Sequence, residues 1–364
     1  MSNTLLKGEE RIAFELRSLY QKYGYLPYKM SKFEEYDLYV ENKEFLVGDG
    51  IITFNDTNGK LMALKPDVTL SIIKNVVDDG GKRKVCYNEN VYRISAKTKH
   101  FKEIIQIGLE CVGAIDLYDV YETVCLAAES LASISQRFVL DISHLGILSS
   151  VLEEIGGGEK FTKELMQKVA EKNAHGTAEL CEKYSVSEED KQKLLTLIGS
   201  YGDLESVLKK IQPLCQTEKA KCAYEKLQTL CALLSKTPYA DRLRLDFSVV
   251  NDMNYYDDIV FKGFIDGIAE GVLSGGRYDR LMARMGRNSG AIGFAVYLDL
   301  LEGYGENKSE IDVDTLVLYD DATDFDEIVE AVNGLITSGK SARAQKTKTG
   351  VRYKEILDLT GGRV

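Results

Sequence analysis

The sequence predicts an α+β protein, an antiparallel sheet core with helices segregated to its flanks, and three observations predict it. Residues 51–64 read as a hairpin, because Ile51-Ile52-Thr53-Phe54 and Leu61-Met62-Ala63-Leu64 flank the turn signal Asn58-Gly59. Residues 84–94 and 102–113 read as two strands joined by a basic polar loop, Ser95 to His100. After a long stretch with no good strand candidate, alternation resumes near 242–249. There Leu243, Leu245, Phe247 and Val249 share one face, and Arg242, Arg244, Asp246 and Ser248 the other.

The remaining elements follow in order. Residues 9–23 carry Ile12, Leu16, Leu19 and Tyr23 at one-face helical spacing, with Gly24 as the stop signal. Pro66-Asp67 closes the hairpin and opens a helix through Ile72, Ile73 and Val76. A helix over 116–134 has Val120, Val124, Ala127 and Leu131 on one stripe, and a strand near 137–142 follows. Residues 145–238, rich in Lys, Glu and Leu, read as a helical insertion. Further strands run to Leu273, then Gly275-Gly276, a helix near 277–285, a strand near 290–296 and a helix to about 303. The polar stretch 304–312 reads as a linker, ahead of a strand at 315–319 and a helix at 324–338. The expected division is a core of 1–144 and 239–303, a helical insertion 145–238, a linker 304–312 and a short C-terminal α/β segment 313–364.

Bulk properties narrow the class. At 364 residues, 44% hydrophobic and 28% charged, the chain suits a soluble protein of two or three domains. No apolar run approaches bilayer length, and Met1 to Glu10 lacks the charged-then-apolar layout of a signal peptide. The seven cysteines are scattered without a CxxC pair, which points to reduced thiols and a cytoplasmic protein. With three histidines, none closely spaced, no metal site is expected. No cofactor is expected either. The net charge of −11 opposes binding to nucleic-acid phosphates, so tRNA is not an expected partner.

The strand Glu103–Gly113 carries the chemistry. Ile105, Ile107, Leu109 and Cys111 point one way, while Gln106, Gly108 and Glu110 point the other. A polar-glycine-polar face lines a cavity well, the glycine leaving room for a ligand, and Gln106 with Glu110 suits one bearing an ammonium or an imidazole N–H. Read alone, the same face also fits the solvent side of an antiparallel strand. Asp67 and Thr69 equally read as helix caps, Tyr255-Tyr256 as strand aromatics in a core and Gly275-Gly276 as a tight turn.

Their order along the chain is what is specific. Lys65-Pro66-Asp67-Val68-Thr69 resembles the Arg-Pro-Glu-x-Thr element of histidyl-tRNA synthetases. Tyr92-Arg93, the basic loop and Gln106 to Glu110 resemble motif 2 of that family. Residues 251–261 (NDMNYYDDIVF) and 274–281 (SGGRYDRL) resemble its two histidine-specific segments, and 290–301 (GAIGFAVYLDLL) stands where motif 3 belongs. The resemblance spans roughly residues 5–303 and implies a class II aminoacyl-tRNA synthetase-like fold. It implies a histidine-binding set of Asp67, Thr69, Arg93, Gln106, Glu110, Tyr255, Tyr256 and Tyr278.

The departures point away from catalysis. At the family's motif 2 glutamate stands Ser95, at its catalytic arginine Asn251 and at its motif 3 arginine Leu300; at the motif 1 proline stands Ser31. Cations aimed at phosphates are worth about 3 kcal/mol each in transition-state stabilisation, so losing two dismantles adenylation. This pattern resembles the regulatory subunits of ATP phosphoribosyltransferase. That resemblance implies a non-catalytic homodimer within a hetero-oligomer. Its partner would be the short-form catalytic subunit, and L-histidine its feedback effector. The alternative is a divergent active histidyl-tRNA synthetase. Between Ala331 and Lys354 six basic residues (Lys340, Arg343, Lys346, Lys348, Arg352, Lys354) stand without an acid, a pattern of a solvated surface or of a phosphate or partner contact.

Overall fold

The computed structural model describes residues 8–42, 50–76, 79–94, 99–250, 255–302, 304 and 311–360. They fall into two compact units, Met1–Tyr304 and Gly305–Val364.

In the first unit, α1 (Gly8–Lys22) buries Ile12, Leu16 and Tyr20 and ends before Gly24 at φ 82°. Strand β1 (Leu26–Pro27), β2 (Phe33–Glu35) and α2 (Tyr36–Glu41) follow. The Asn58-Gly59 hairpin forms as β3 (Thr53–Asn55) and β4 (Leu61–Leu64), with Gly59 at φ 81°. Strand β2 pairs with the free side of β4, giving a three-stranded sheet where periodicity shows a hairpin. Helix α3 (Val68–Asn75) starts at Asp67, whose carboxylate accepts the Leu70 N–H at 2.9 Å. Strands β5 (Arg83–Ile94) and β6 (Phe101–Gly113) pair antiparallel along their length. Helix α4 (Leu117–Ile134) opens on a reciprocal capping box between Asp116 and Asp119, and β7 (Phe138–His144) follows it.

Residues 145–238 form α5 (Leu145–Ile155), α6 (Gly158–Ala170), α7 (Ala174–Lys183), α8 (Glu188–Ile198), α9 (Leu204–Ile211) and α10 (Glu218–Leu234). Between α8 and α9 lies β8 (Tyr201–Gly202), a two-residue strand too short for sequence periodicity to register. Then come β9 (Leu243–Asp246), β10 (Ile259–Ile265), β11 (Leu273–Arg277), α11 (Asp279–Arg284) and β12 (Gly290–Tyr297). The main sheet runs β1-β5-β6-β12-β11-β10-β7-β9-β8. It is antiparallel except where β1 joins β5 and β9 joins β7.

Two local expectations change. Gly275-Gly276 lie inside β11 rather than in a turn, because a Cβ on Gly275 would meet the Phe261 ring at 2.7 Å and one on Gly276 the Tyr256 ring at 2.7 Å. Tyr255-Tyr256 precede β10 and are not strand residues. On the polar face of β9, Asp246 is buried and pairs with Lys172 of the helical stretch at 2.7 Å, while accepting from the Ser248 N–H and hydroxyl.

One face of the main sheet buries Ile107, Leu109, Leu140, Phe261 and Phe294 against residues of α1, α4, α5 and α10. The opposite face carries the polar residues. The second unit contains β13 (Val313–Leu318), α12 (Phe325–Thr337), β14 (Ala342–Gln345) and β15 (Tyr353–Asp358), arranged as a parallel sheet β14-β13-β15. Its basic run meets acids from outside the run. Lys340 pairs with Glu355 and Arg352 with Asp312, each at 2.7 Å, and Lys346 pairs with Asp321. Among the described residues no helix is long and apolar enough to cross a membrane, and no cluster of His, Cys, Asp and Glu is arranged to hold a metal.

The capping box gives a stability test. Asp116→Ala removes the acceptor for the Tyr118 and Asp119 N–H groups, and urea unfolding should show a loss of about 1 kcal/mol.

Candidate functional site

Alternation along β6 sets Gln106, Gly108 and Glu110 on the face away from the helices, and register supplies their neighbours. Tyr87 of β5 stands beside Gly108, and Gly293 of β12 beside Glu110. A Cβ on Gly293 would collide with Glu110 Oε2, so the carboxyl lies over bare backbone. The room above Gly108 goes to protein: a Cβ there would meet the Tyr87 hydroxyl at 2.6 Å. The expectation that Gly108 makes space for a ligand is therefore corrected. It admits Tyr87, which in turn walls the cavity.

Glu110 is buried, and two hydroxyls from different elements hold it. Thr69, in the first turn of α3, donates to Oε1 at 2.8 Å, and Tyr278, just after β11, donates to Oε2 at 2.5 Å. No described cation pairs with it. Burial pushes its pKa up to about 8, against the pull of both hydrogen bonds and with a small addition from Asp67. At that value the protonated acid is favoured near neutral pH, its O–H then donating to one of these two hydroxyls. A ligand cation or N–H brought against it would favour the charged form.

Asp67 has two tasks. One oxygen caps α3, and the other lies 3.9 Å from the Arg93 guanidinium. Burial raises its pKa and Arg93 opposes that shift. Arg93 itself is fixed by donation from Nε to the Pro66 carbonyl at 2.8 Å. Tyr255, Tyr256 and Tyr278 form a cluster with ring centroids 4.8, 5.7 and 6.5 Å apart. Burial holds the Tyr255 and Tyr278 hydroxyls well above the ordinary phenol range, so both stay protonated donors. Gln106 is buried on the same face.

All eight residues singled out from sequence line one small cavity of about 50 Å³. Tyr87, Ser274 and Tyr297 also line it and were missed. Their signal is register: Tyr87 opposes Gly108, and Tyr297 opposes Gln106. One end, Glu110 with Thr69 and the tyrosines, accepts from N–H groups; the Arg93 side offers a cation to a carboxylate.

The other half of the expected synthetase site is different. Ser95, Lys97 and Asn251 lie outside the described residues. Leu300, in a short turn after β12, packs half-buried against the main core, and beside it Asp299 takes Lys102 as an ion-pair partner at 2.7 Å. An apolar side chain thus occupies the position that the resemblance assigns to a phosphate-binding arginine. Ser31, in the approach to β2, accepts the Phe33 N–H at 3.0 Å.

A mostly antiparallel sheet with a polar pocket on its open face fits a class II synthetase-like protein. The model of the histidyl-tRNA synthetase family matches residues 4–301, and the chain belongs to that family. Among its relatives, a protein of Geobacillus kaustophilus named ATP phosphoribosyltransferase regulatory subunit is 29% identical over 321 residues, covering 84% of this chain and 80% of the relative. One of the same name from Oceanobacillus iheyensis is 26% identical, covering 79% and 71%. A structure described as an ATP phosphoribosyltransferase regulatory subunit/histidyl-tRNA synthetase from Bacillus halodurans aligns over 100% of this chain and 97% of its own, with TM-score 0.80 and 24% identity. The ATP phosphoribosyl transferase HisG:HisZ complex from Thermotoga maritima contains a chain aligned over 80% and 97%, with TM-score 0.63 and 18% identity. These two likenesses establish the fold.

Glu110 also marks stability. Its folded pKa, about 8, lies above the ordinary 4.5, so the native state keeps a proton that the unfolded chain releases. Stability therefore falls as pH rises from 4.5 to 8, and Asp67 and Asp141 act in the same direction. In urea unfolding at pH 5 and pH 8, Glu110→Gln should lose less stability across that interval than the parent protein. An equal loss in both would place the proton elsewhere.

Proposed function

We propose that this chain is the non-catalytic regulatory subunit of ATP phosphoribosyltransferase, binding L-histidine in the Glu110 pocket as feedback effector. The reading makes it a homodimer that assembles with short-form catalytic subunits. The observation that carries it is an asymmetry within one site. Side chains suited to an imidazole amino acid converge on one cavity, whereas Leu300 packs into the core where a phosphate-binding arginine belongs. The names of the relatives agree with this reading, as does the occurrence of the same fold in a HisG:HisZ assembly.

Physically, histidine must bind two quaternary states with different affinity, and the coupling is reciprocal. A buried group that hydrogen-bonds a charged ligand contributes about 1.5–3 kcal/mol, roughly ten- to a hundredfold in affinity.

Reconstitution with a short-form catalytic subunit tests the proposal. Phosphoribosyltransferase activity should require this chain, and histidine should inhibit the complex. Gln106→Ala or Glu110→Ala should raise the half-inhibiting histidine concentration at least about tenfold while the complex still assembles. Inhibition unchanged in both variants would remove the pocket from the mechanism, and activity independent of the chain would remove the regulatory role.

A further inference from the structure

The short segment between β4 and α3, residues 65–67, is neither helix nor strand, yet it sets the position of two pocket residues. Asp67 lies in it, and Thr69 stands one turn into the helix that it launches. Irregular backbone of this kind is held by tethers, and most of the tethers converge on Lys65. Its N–H donates to the Lys32 carbonyl at 3.0 Å, and its carbonyl accepts the Tyr92 N–H at 2.9 Å. Its side chain is wholly buried and reaches β5, where Nζ lies 2.8 Å from Glu89 Oε2. Glu89 sits on the same face of β5 as Tyr87 and Arg93, and its second oxygen accepts the Met30 N–H at 3.4 Å.

Such an ion pair is a poor device for stability. Desolvation of the ammonium and the carboxylate offsets most of their attraction, and an apolar pair of similar shape would hold the fold as well. What a buried pair does add is a defined geometry, since the ammonium is anchored at one place on β5. Burial pulls the Lys65 ammonium toward its neutral form and the Glu89 carboxylate holds it charged.

We infer that the Lys65–Glu89 ion pair is a positioning device for the ligand pocket, fixing the Pro66–Thr69 segment on β5 so that Asp67 and Thr69 meet Arg93 and Glu110. Its role in ligand affinity rests on the histidine reading above, but the positioning itself is measurable without ligand. Leu70 supplies the reporter, because its N–H donates to Asp67 Oδ1 and exchanges faster when that cap loosens.

The test uses the full chain as Lys65→Met/Glu89→Gln, Lys65→Gln/Glu89→Gln and Lys65→Arg. The double variant removes both charges together, so no lone buried charge remains and its thermal midpoint should stay close to that of the parent. Amide exchange at Leu70 should nevertheless quicken at least about tenfold, and calorimetric histidine affinity should fall by about the same factor. Lys65→Arg, which keeps the cation and matches the family's arginine at this position, should stay within about threefold on both readouts. If the double variant does not fold, Lys65→Gln/Glu89→Gln, which likewise leaves no lone charge, carries the same two measurements. Parental Leu70 exchange in a folded variant without the pair would overturn the inference. If the parent protein itself binds no histidine, the pocket reading fails, and Leu70 exchange still decides the positioning.

Discussion

A carboxyl group withdrawn from water organises this site. Glu110 has no described cationic partner, so its hydrogen-bonding capacity is met by Thr69 and Tyr278, which arrive from α3 and β11. That requirement constrains distant parts of the chain. Gly293 must lack a side chain for the carboxyl to lie where it does, and Gly276 must lack one for Tyr256 to pack beside Tyr278. Asp67 must cap α3 so that Thr69 falls within reach. The motif residues are thus parts of one arrangement around one buried acid.

The sheet makes such a site possible by separating two tasks. Successive residues of a strand face opposite sides, so β6 builds the apolar core through Ile107, Leu109 and Cys111 while presenting Gln106 and Glu110 on the other side. The apolar face, packed by α1, α4, α5 and α10, gives the rigidity that a preorganised pocket needs.

Much of this was legible in the sequence. The hairpin at Asn58-Gly59, the β5–β6 pair and the capped helix after Asp67 follow from local chemistry, because turn residues, alternation and caps act over a few positions. The pocket set was legible through the order of short motifs that resemble a known family, since Gln106, Glu110 and Tyr278 separately admit bland readings. What escaped depends on tertiary neighbours. Tyr87 and Tyr297 enter the pocket by strand register, which no single segment encodes. Gly275-Gly276 read as a turn until Phe261 and Tyr256 are seen packed against them. The ion-pair partner of Asp246 is Lys172, seventy-four positions earlier, which no local pattern reveals. The basic run at the C-terminal end loses its isolated positive character once Asp312, Asp321 and Glu355 are folded beside it.

The central claim is that Glu110 is a protonated acid prepared to receive a nitrogen-bearing ligand. The most direct measurement is calorimetric titration of L-histidine at pH 7 in two buffers of different ionisation enthalpy. The account predicts saturable binding accompanied by proton release, with both the release and the tight binding lost in Glu110→Gln. Binding with no proton exchange, or binding unchanged in that variant, would contradict it.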